Sequence, residues 1–113
     1  DALMKLIDAT EEISDKSGFD SKMAFDNARN FAHEISKNPD ATNHADNIKK
    51  STDIISKVLQ NVQKAKFSTL NAEAEKVKMS SAAINVKELA LNQKEKIKNF
   101  FNDAADLLDK MNR

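Results

Sequence analysis

Thr69–Met111, TLNAEAEKVKMSSAAINVKELALNQKEKIKNFFNDAADLLDKM, is the stretch on which the fold of this chain turns. It covers more than a third of the 113 residues, contains neither Gly nor Pro, and repeats its apolar residues at three- and four-residue intervals. That period is helical. Leu70, Ala74, Val77, Ser81, Ile84 and Leu91 share one phase, and Ala90, Ile97, Phe101, Ala104, Leu108 and Met111 share a second, offset by one residue. A slip of phase means that the stripe winds round the helix, the helix bends, or a turn intervenes between Ser80 and Gln93. The spacing predicts a bend or break near Asn92. Unbroken, the helix would measure about 65 Å at 1.5 Å per residue, longer than any partner in the chain.

Upstream, a helix can start at Asp40 or Thr42, either of which can cap it. Its stripe is Ala45, Ile48, Thr52, Ile55, Leu59 and Val62, widened by Ile54, Val58 and Ala65. Its only stop is Phe67-Ser68-Thr69, where Ser68 or Thr69 can cap the next helix. An earlier helix takes Asp20 as N-cap and buries Ala24, Ala28, Phe31, Ala32 and Ile35, with Phe25 at the edge; Asn38-Pro39 ends it, because Pro disfavours helical geometry in the residue before it. The first helix runs from Ala2 to Lys16 with Leu3, Leu6, Ile7, Thr10 and Ile13 on one stripe. Gly18 stops it, and Phe19 packs back over the cap.

One Gly and one Pro leave little turn chemistry for a sheet. The expectation is all-α: one domain, 1–113, an antiparallel bundle of four helices, or five if the C-terminal helix is broken.

Composition excludes several functions. A formal charge of zero argues against general nucleic-acid binding, which needs surplus Lys and Arg. No apolar run approaches the roughly 20 residues of a membrane span. Without Cys there is no disulfide framework, thiol catalysis or Cys-ligated zinc. His33-Glu34 opens like a zinc-protease motif, but Lys37 stands where the second His is needed. Asn30 and Ala41 stand where a di-iron bundle would place Glu ahead of His33 and His44. The carboxylates are spread along the helices as solvated charges. The reading is non-enzymatic, with no catalytic residue, no metal and no cofactor. Asp at position one fits a mature or trimmed chain whose anchor would lie outside these residues.

Charge is unevenly distributed. Residues 1–48 carry ten acids and five bases, and residues 49–98 carry eleven bases and five acids. Lys50, Lys57 and Lys64 recur every seven residues, which lines three ammonium groups along one helix face. Such a ridge steers acidic partners. Asp46–Lys50 and Asp53–Lys57 also have the i,i+4 spacing of ordinary helix pairs, worth only about 0.2–0.5 kcal/mol each. Lys64 and Lys66 have no acid four residues before them. Arg29, one of two arginines, offers a planar fork for a partner carboxylate. The candidate partner-binding residues are Arg29, Lys50, Lys57, Lys64 and Lys66. Of the adjacent Phe100 and Phe101, only one can face the core, and the other is a candidate exposed contact.

Phe19-Asp20-Ser21-Lys22, Asn30-Phe31-Ala32 and Ile35-Ser36-Lys37-Asn38, in a chain rich in Lys, Asn, Asp and Ile and free of Cys, resemble the helical surface lipoproteins of Borrelia spirochaetes. The resemblance covers the whole chain in composition and helical layout and carries over no functional residue. It implies a receptor-like or immune-evasion module, at the cell surface or secreted, that binds a host plasma or matrix protein such as fibronectin or a complement component. Two other classes stay open. One is a self-assembling protein whose seam of Ala90, Ile97, Ala104 and Met111, with Phe101 and Leu108, completes a coiled coil with another chain. The other is a carrier of apolar ligand with a pliable interior of Met4, Met23, Met79 and Met111.

Overall fold

A computed structural model of the protein describes residues 2–37, 44–84 and 90–112, and their side chains over 3–33, 47–84 and 95–112. These residues form α1 (Ala2–Lys16), α2 (Lys22–Lys37), α3 (His44–Lys66), a 3-10 turn (Ser68–Leu70), α4 (Asn71–Ala83) and α5 (Ala90–Met111). Among the described residues there is no strand. None of the described helices is long and apolar enough to cross a membrane.

The expected cap closes α1. Gly18 takes φ +82°, the Phe19 N–H donates to the Ser14 carbonyl and the Gly18 N–H to the Asp15 carbonyl, each at 3.1 Å. This is the pair of bonds that a left-handed residue after a helix makes possible. At α2 the expected cap shifts by one residue: the Ser21 carbonyl accepts the first helical bond from the Phe25 N–H at 3.1 Å, while the Asp20 carboxylate accepts from the Lys22 N–H at 3.4 Å. The predicted stop at Asn38-Pro39 and the predicted caps Asp40 and Thr42 lie outside the described residues.

The face that α2 buries is rotated from the one expected. Phe25, assigned to the edge, is 1% exposed beside Ala28 and Ala32, whereas Phe31 is only half-buried. Phe25, Ala28 and Ala32 pack into the shared core, and in that orientation Arg29 reaches Glu11 and Asp8 of α1. In α3, Thr52, Ile55, Leu59 and Val62 are fully buried as expected, but Ala65 is exposed in the last turn.

Neither Ser68 nor Thr69 acts as a cap after α3. The N-cap positions of the turn and of α4 are Phe67 and Leu70, neither with a side-chain cap bond. Instead, the Gln63 side-chain amide donates to the Phe67 carbonyl at 3.1 Å, and the Leu70 N–H donates to the same oxygen at 2.9 Å.

The C-terminal stretch is broken, and earlier than Asn92. After Ala83, Ile84 is extended (φ −68°, ψ 117°), and the chain resumes as α5 at Ala90. The described residues therefore form five α-helices rather than four. The break lets α5 fold back along α4, so the longest dimension is 39 Å. Both halves of the stretch then face one core: Ala74 and Val77 from α4, Ile84 just after it, and Phe100, Ala104, Leu107, Leu108 and Met111 from α5.

α3 lies against α1, α2 and α4. Bonds from Gln60 to Ala74 and from Ser81 to Asp53 show α3 and α4 antiparallel. The pairs Ser80–Asp103 and Glu73–Lys110 show the same for α4 and α5. The C-terminal ends of α1, α3 and α5 meet around Ile13, Lys66 and Met111. Small polar residues are buried on α1 and α3 alike: Thr10, Ser14, Ser51, Thr52 and Ser56, of which Ser51 faces the Ala28 carbonyl of α2.

Candidate binding face

α3 presents one side to solvent because α1 backs it and α2 and α4 flank it. A seven-residue interval brings a helix back to nearly the same azimuth, so Lys50, Lys57 and Lys64 line that outer side, and all three are exposed. The predicted ridge is thus a continuous feature of one face. Lys57 lines both clefts beside α3, the one toward α2 and the one toward α4, and Lys64 lines the α4 cleft.

The ion pairs expected to neutralise the ridge are different ones. Asp53 does not pair with Lys57. Its Oδ1 accepts from the Lys49 ammonium at 2.9 Å and from the Ser81 hydroxyl at 2.9 Å. Lys49 faces α4, as the azimuth one residue before Lys50 requires, and also donates to the Ser81 carbonyl at 2.5 Å. Among the described residues no acid pairs with Lys57 or Lys64. The Lys50 ammonium lies 5.4 Å from the centroid of the half-buried Phe31 ring, a cation–π contact. The Asp46 side chain lies outside the described residues.

Two predicted contact residues are not part of this face. Lys66 is exposed at the end of the molecule, in a cleft with Ile13, Lys16, Phe67 and Met111. It is separated from Lys64 because two residues turn a helix by about 200°. Arg29 spends its fork within the chain: one guanidinium nitrogen donates to Glu11 at 2.6 Å and to Asp8 at 2.9 Å. Those bonds, Glu11's first, raise its pKa further above the arginine range. Arg29 is a clamp between α1 and α2.

The sequence reading missed Lys49 and Lys78 as well as the exposure of Met23 and Met79, which it had placed in an interior. The cleft between α3 and α4, about 510 Å³, is lined by Lys49, Lys57, Lys64 and Lys78 against Asp53 and Glu75. Met23 on α2 is 79% exposed and Met79 on α4 is 64% exposed. A signal existed for Met79: α4 has small apolar residues on all sides, with Ala72, Ala82 and Ala83 exposed.

The other candidates are redistributed. Phe100 is 0% exposed, and Phe101 is the half-buried partner, lining a groove of about 490 Å³ between α1 and α5 with Leu6, Ala9, Ala105 and Leu108. The proposed coiled-coil seam is consumed internally, since Ala104, Leu108 and Met111 belong to the chain's own core; the Ala90 side chain lies outside the described residues. The four methionines do not converge on one interior: Met111 is buried, Met4 half-buried, and Met23 and Met79 face solvent. His33 is exposed, and no group of three or more His, Asp or Glu with metal-binding geometry occurs among the described residues.

No model of a known protein family, no curated protein and no solved structure gives a significant match to this chain.

Proposed function

We propose that this chain is a non-catalytic binding module, a surface-exposed microbial protein that holds a host plasma or matrix protein, a complement component among them, on the outer side of α3. The observation that carries the reading is the exposed row Lys50, Lys57 and Lys64, of which the last two have no acid partner among the described residues. Unpaired ammonium groups in a row attract an acidic surface and raise its rate of encounter. The host-protein part of the reading rests on the resemblance in composition and layout to Borrelia surface lipoproteins.

The test is capture from plasma on the immobilised protein, with the triple variant Lys50→Glu, Lys57→Glu, Lys64→Glu as control. The expected result is one stoichiometric protein retained by the native chain and lost by the variant, with thermal melting nearly unchanged. Equal retention by both would remove the face from consideration, and retention of nothing would remove the plasma-binding reading.

A further inference from the structure

We infer that the α3/α4 side of this face seats a single acidic amphipathic helix of the partner, with Met79 as the apolar anchor beside a row of lysines. The inference rests on the binding-module reading and specifies the element of the partner that is recognised.

Three observations carry it. First, α4 carries apolar side chains on its outer side as well. Its inner side buries Ala74, Val77 and Ser81, but among the exposed Glu75, Lys76 and Lys78 its outer side also exposes Ala72, Met79 and Ala83, with Ala82 leading into the cleft. A helix that only covers a core is polar on its outer side, so Met79, two-thirds exposed between Ala72 and Ala83, offers an apolar foothold that the core does not use.

Second, the charge beside that foothold is one-sided. Lys49 and Asp53 satisfy each other and Ser81, which leaves Lys57, Lys64 and Lys78 facing Glu75 alone. The complement is a surface with acids next to apolar groups.

Third, the dimensions suit a helix. The cleft extends along α4 from Asn71 to Ala82, about 16 Å at the helical rise, which is close to three turns. Lys57 and Lys64 stand about 10.5 Å apart along α3 by the same rise. A partner helix lying in the cleft meets both if its carboxylates repeat every seven residues, and its adjacent apolar side then covers Met79, Ala82 and Ala83.

Two other occupants fit less well. A flexible polyanion satisfies the lysines and leaves Met79 uncovered. A second copy of this chain would have to bring its acidic half, but there Asp8 and Glu11 are held by Arg29, Glu12 pairs with Lys16 at 3.3 Å, and the exposed Asp15, Asp20 and Asp26 do not share one helix at a seven-residue interval.

The probe is a labelled Ala-based helical peptide of about eighteen residues, long enough to fill the cleft with a turn to spare at each end. It carries Glu at i and i+7 beside a Leu row. The controls are a peptide of the same composition with the Glu spacing scrambled, and random-coil poly-glutamate. Binding is read by fluorescence anisotropy and by amide chemical shifts. Expected are binding that weakens about tenfold in Lys57→Glu/Lys64→Glu and severalfold in Met79→Gln, with shifts confined to α3 and α4. Lys5→Glu, on the far groove, leaves binding unchanged. The inference is overturned if poly-glutamate or the scrambled peptide competes equally, if Met79→Gln has no effect, or if the peptide does not bind. In each of those cases, plasma capture that depends on Lys50, Lys57 and Lys64 would still uphold the broader reading. A concentration-dependent dimer abolished by the same Lys57→Glu/Lys64→Glu change would instead assign the face to a second copy and overturn the inference.

Discussion

The Lys49 ammonium of α3 sits 2.5 Å from the Ser81 carbonyl in the last turn of α4. A cation at that end opposes the negative pole of the helix and satisfies a carbonyl that the Ile84 N–H also approaches, at 3.2 Å. The contact lies three residues before the chain leaves helical geometry at Ile84, so Lys49 holds α4 where the long C-terminal stretch breaks.

Lys49→Met removes that donor and leaves Asp53 with the Ser81 hydroxyl alone. We expect a loss of about 1–2 kcal/mol, the low side for a hydrogen bond from a charged group because Lys49 is partly exposed, read as a lower urea midpoint at unchanged slope. Lys50→Met, one residue on and facing solvent, is expected to cost under about 0.5 kcal/mol. Equal losses would mean that the α4 terminus does not depend on Lys49.

Arg29 joins α2 to Glu11 and Asp8 of α1 at a partly exposed site. A double-mutant cycle of Arg29→Met with Glu11→Gln should give a coupling of about 0.5–1.5 kcal/mol, the range for neighbours in one polar network after allowance for solvent screening. Because the Arg29 pKa is raised, its contribution is fully present below the ordinary arginine pKa and lost only as pH rises beyond it. Arg29 therefore adds no pH dependence to stability at neutral or mildly alkaline pH, and urea melts there should show an Arg29→Met effect of constant size.

Phe100 and Phe101 have ring centroids 6.2 Å apart, yet one is fully buried and the other lines the α1/α5 groove. Phe100→Ala should cost about 3–5 kcal/mol, and Phe101→Ala roughly 1 kcal/mol. Equal costs in chemical denaturation would contradict this assignment of the core face.

Ser14 Oγ is buried with no hydrogen-bond partner among the described residues, whereas the Thr10 hydroxyl donates to the Leu6 carbonyl at 2.7 Å. Ser14→Ala relieves an unpaired polar atom and should be neutral or stabilising by about 1 kcal/mol, while Thr10→Val should be destabilising by a similar amount. A clear loss of stability in Ser14→Ala would show that the hydroxyl has a partner, such as a buried water.

Gly18 is at φ +82° with no heavy atom within 4 Å of where a Cβ would sit. The cost of Gly18→Ala is then conformational alone, about 1 kcal/mol, and Gly18→Asn should cost less because Asn tolerates the left-handed region. A thermal melt unmoved by Gly18→Ala would mean that the cap is not formed.

Much of this architecture was legible in the residues because helical periodicity is local information. The bounds of α1, the Gly18 cap, the buried row of α3 and the exposed row Lys50–Lys57–Lys64 all arise from spacings of three, four and seven residues. The phase slip showed that something interrupts the C-terminal stretch. It could not show where, because the break at Ile84 uses neither Gly nor Pro and is held by Lys49, which is remote in sequence. The same remoteness hid the fate of Arg29 and Asp53: each had a plausible local or external partner, and each was taken by a residue on another helix.

The sequence by itself determined an all-helical chain, the phase of the apolar stripes of α1 and α3 and the basic row on α3, since each is set by the geometry of one helix. Only the tertiary structure decided that the described residues form five helices, that Arg29 is a clamp rather than a contact, that Phe100 and not Phe101 fills the core, and that Lys78 shares a cleft with Lys57 and Lys64. Those outcomes depend on which helix faces come together, and that choice is made by packing between segments whose relative rotation no local period encodes.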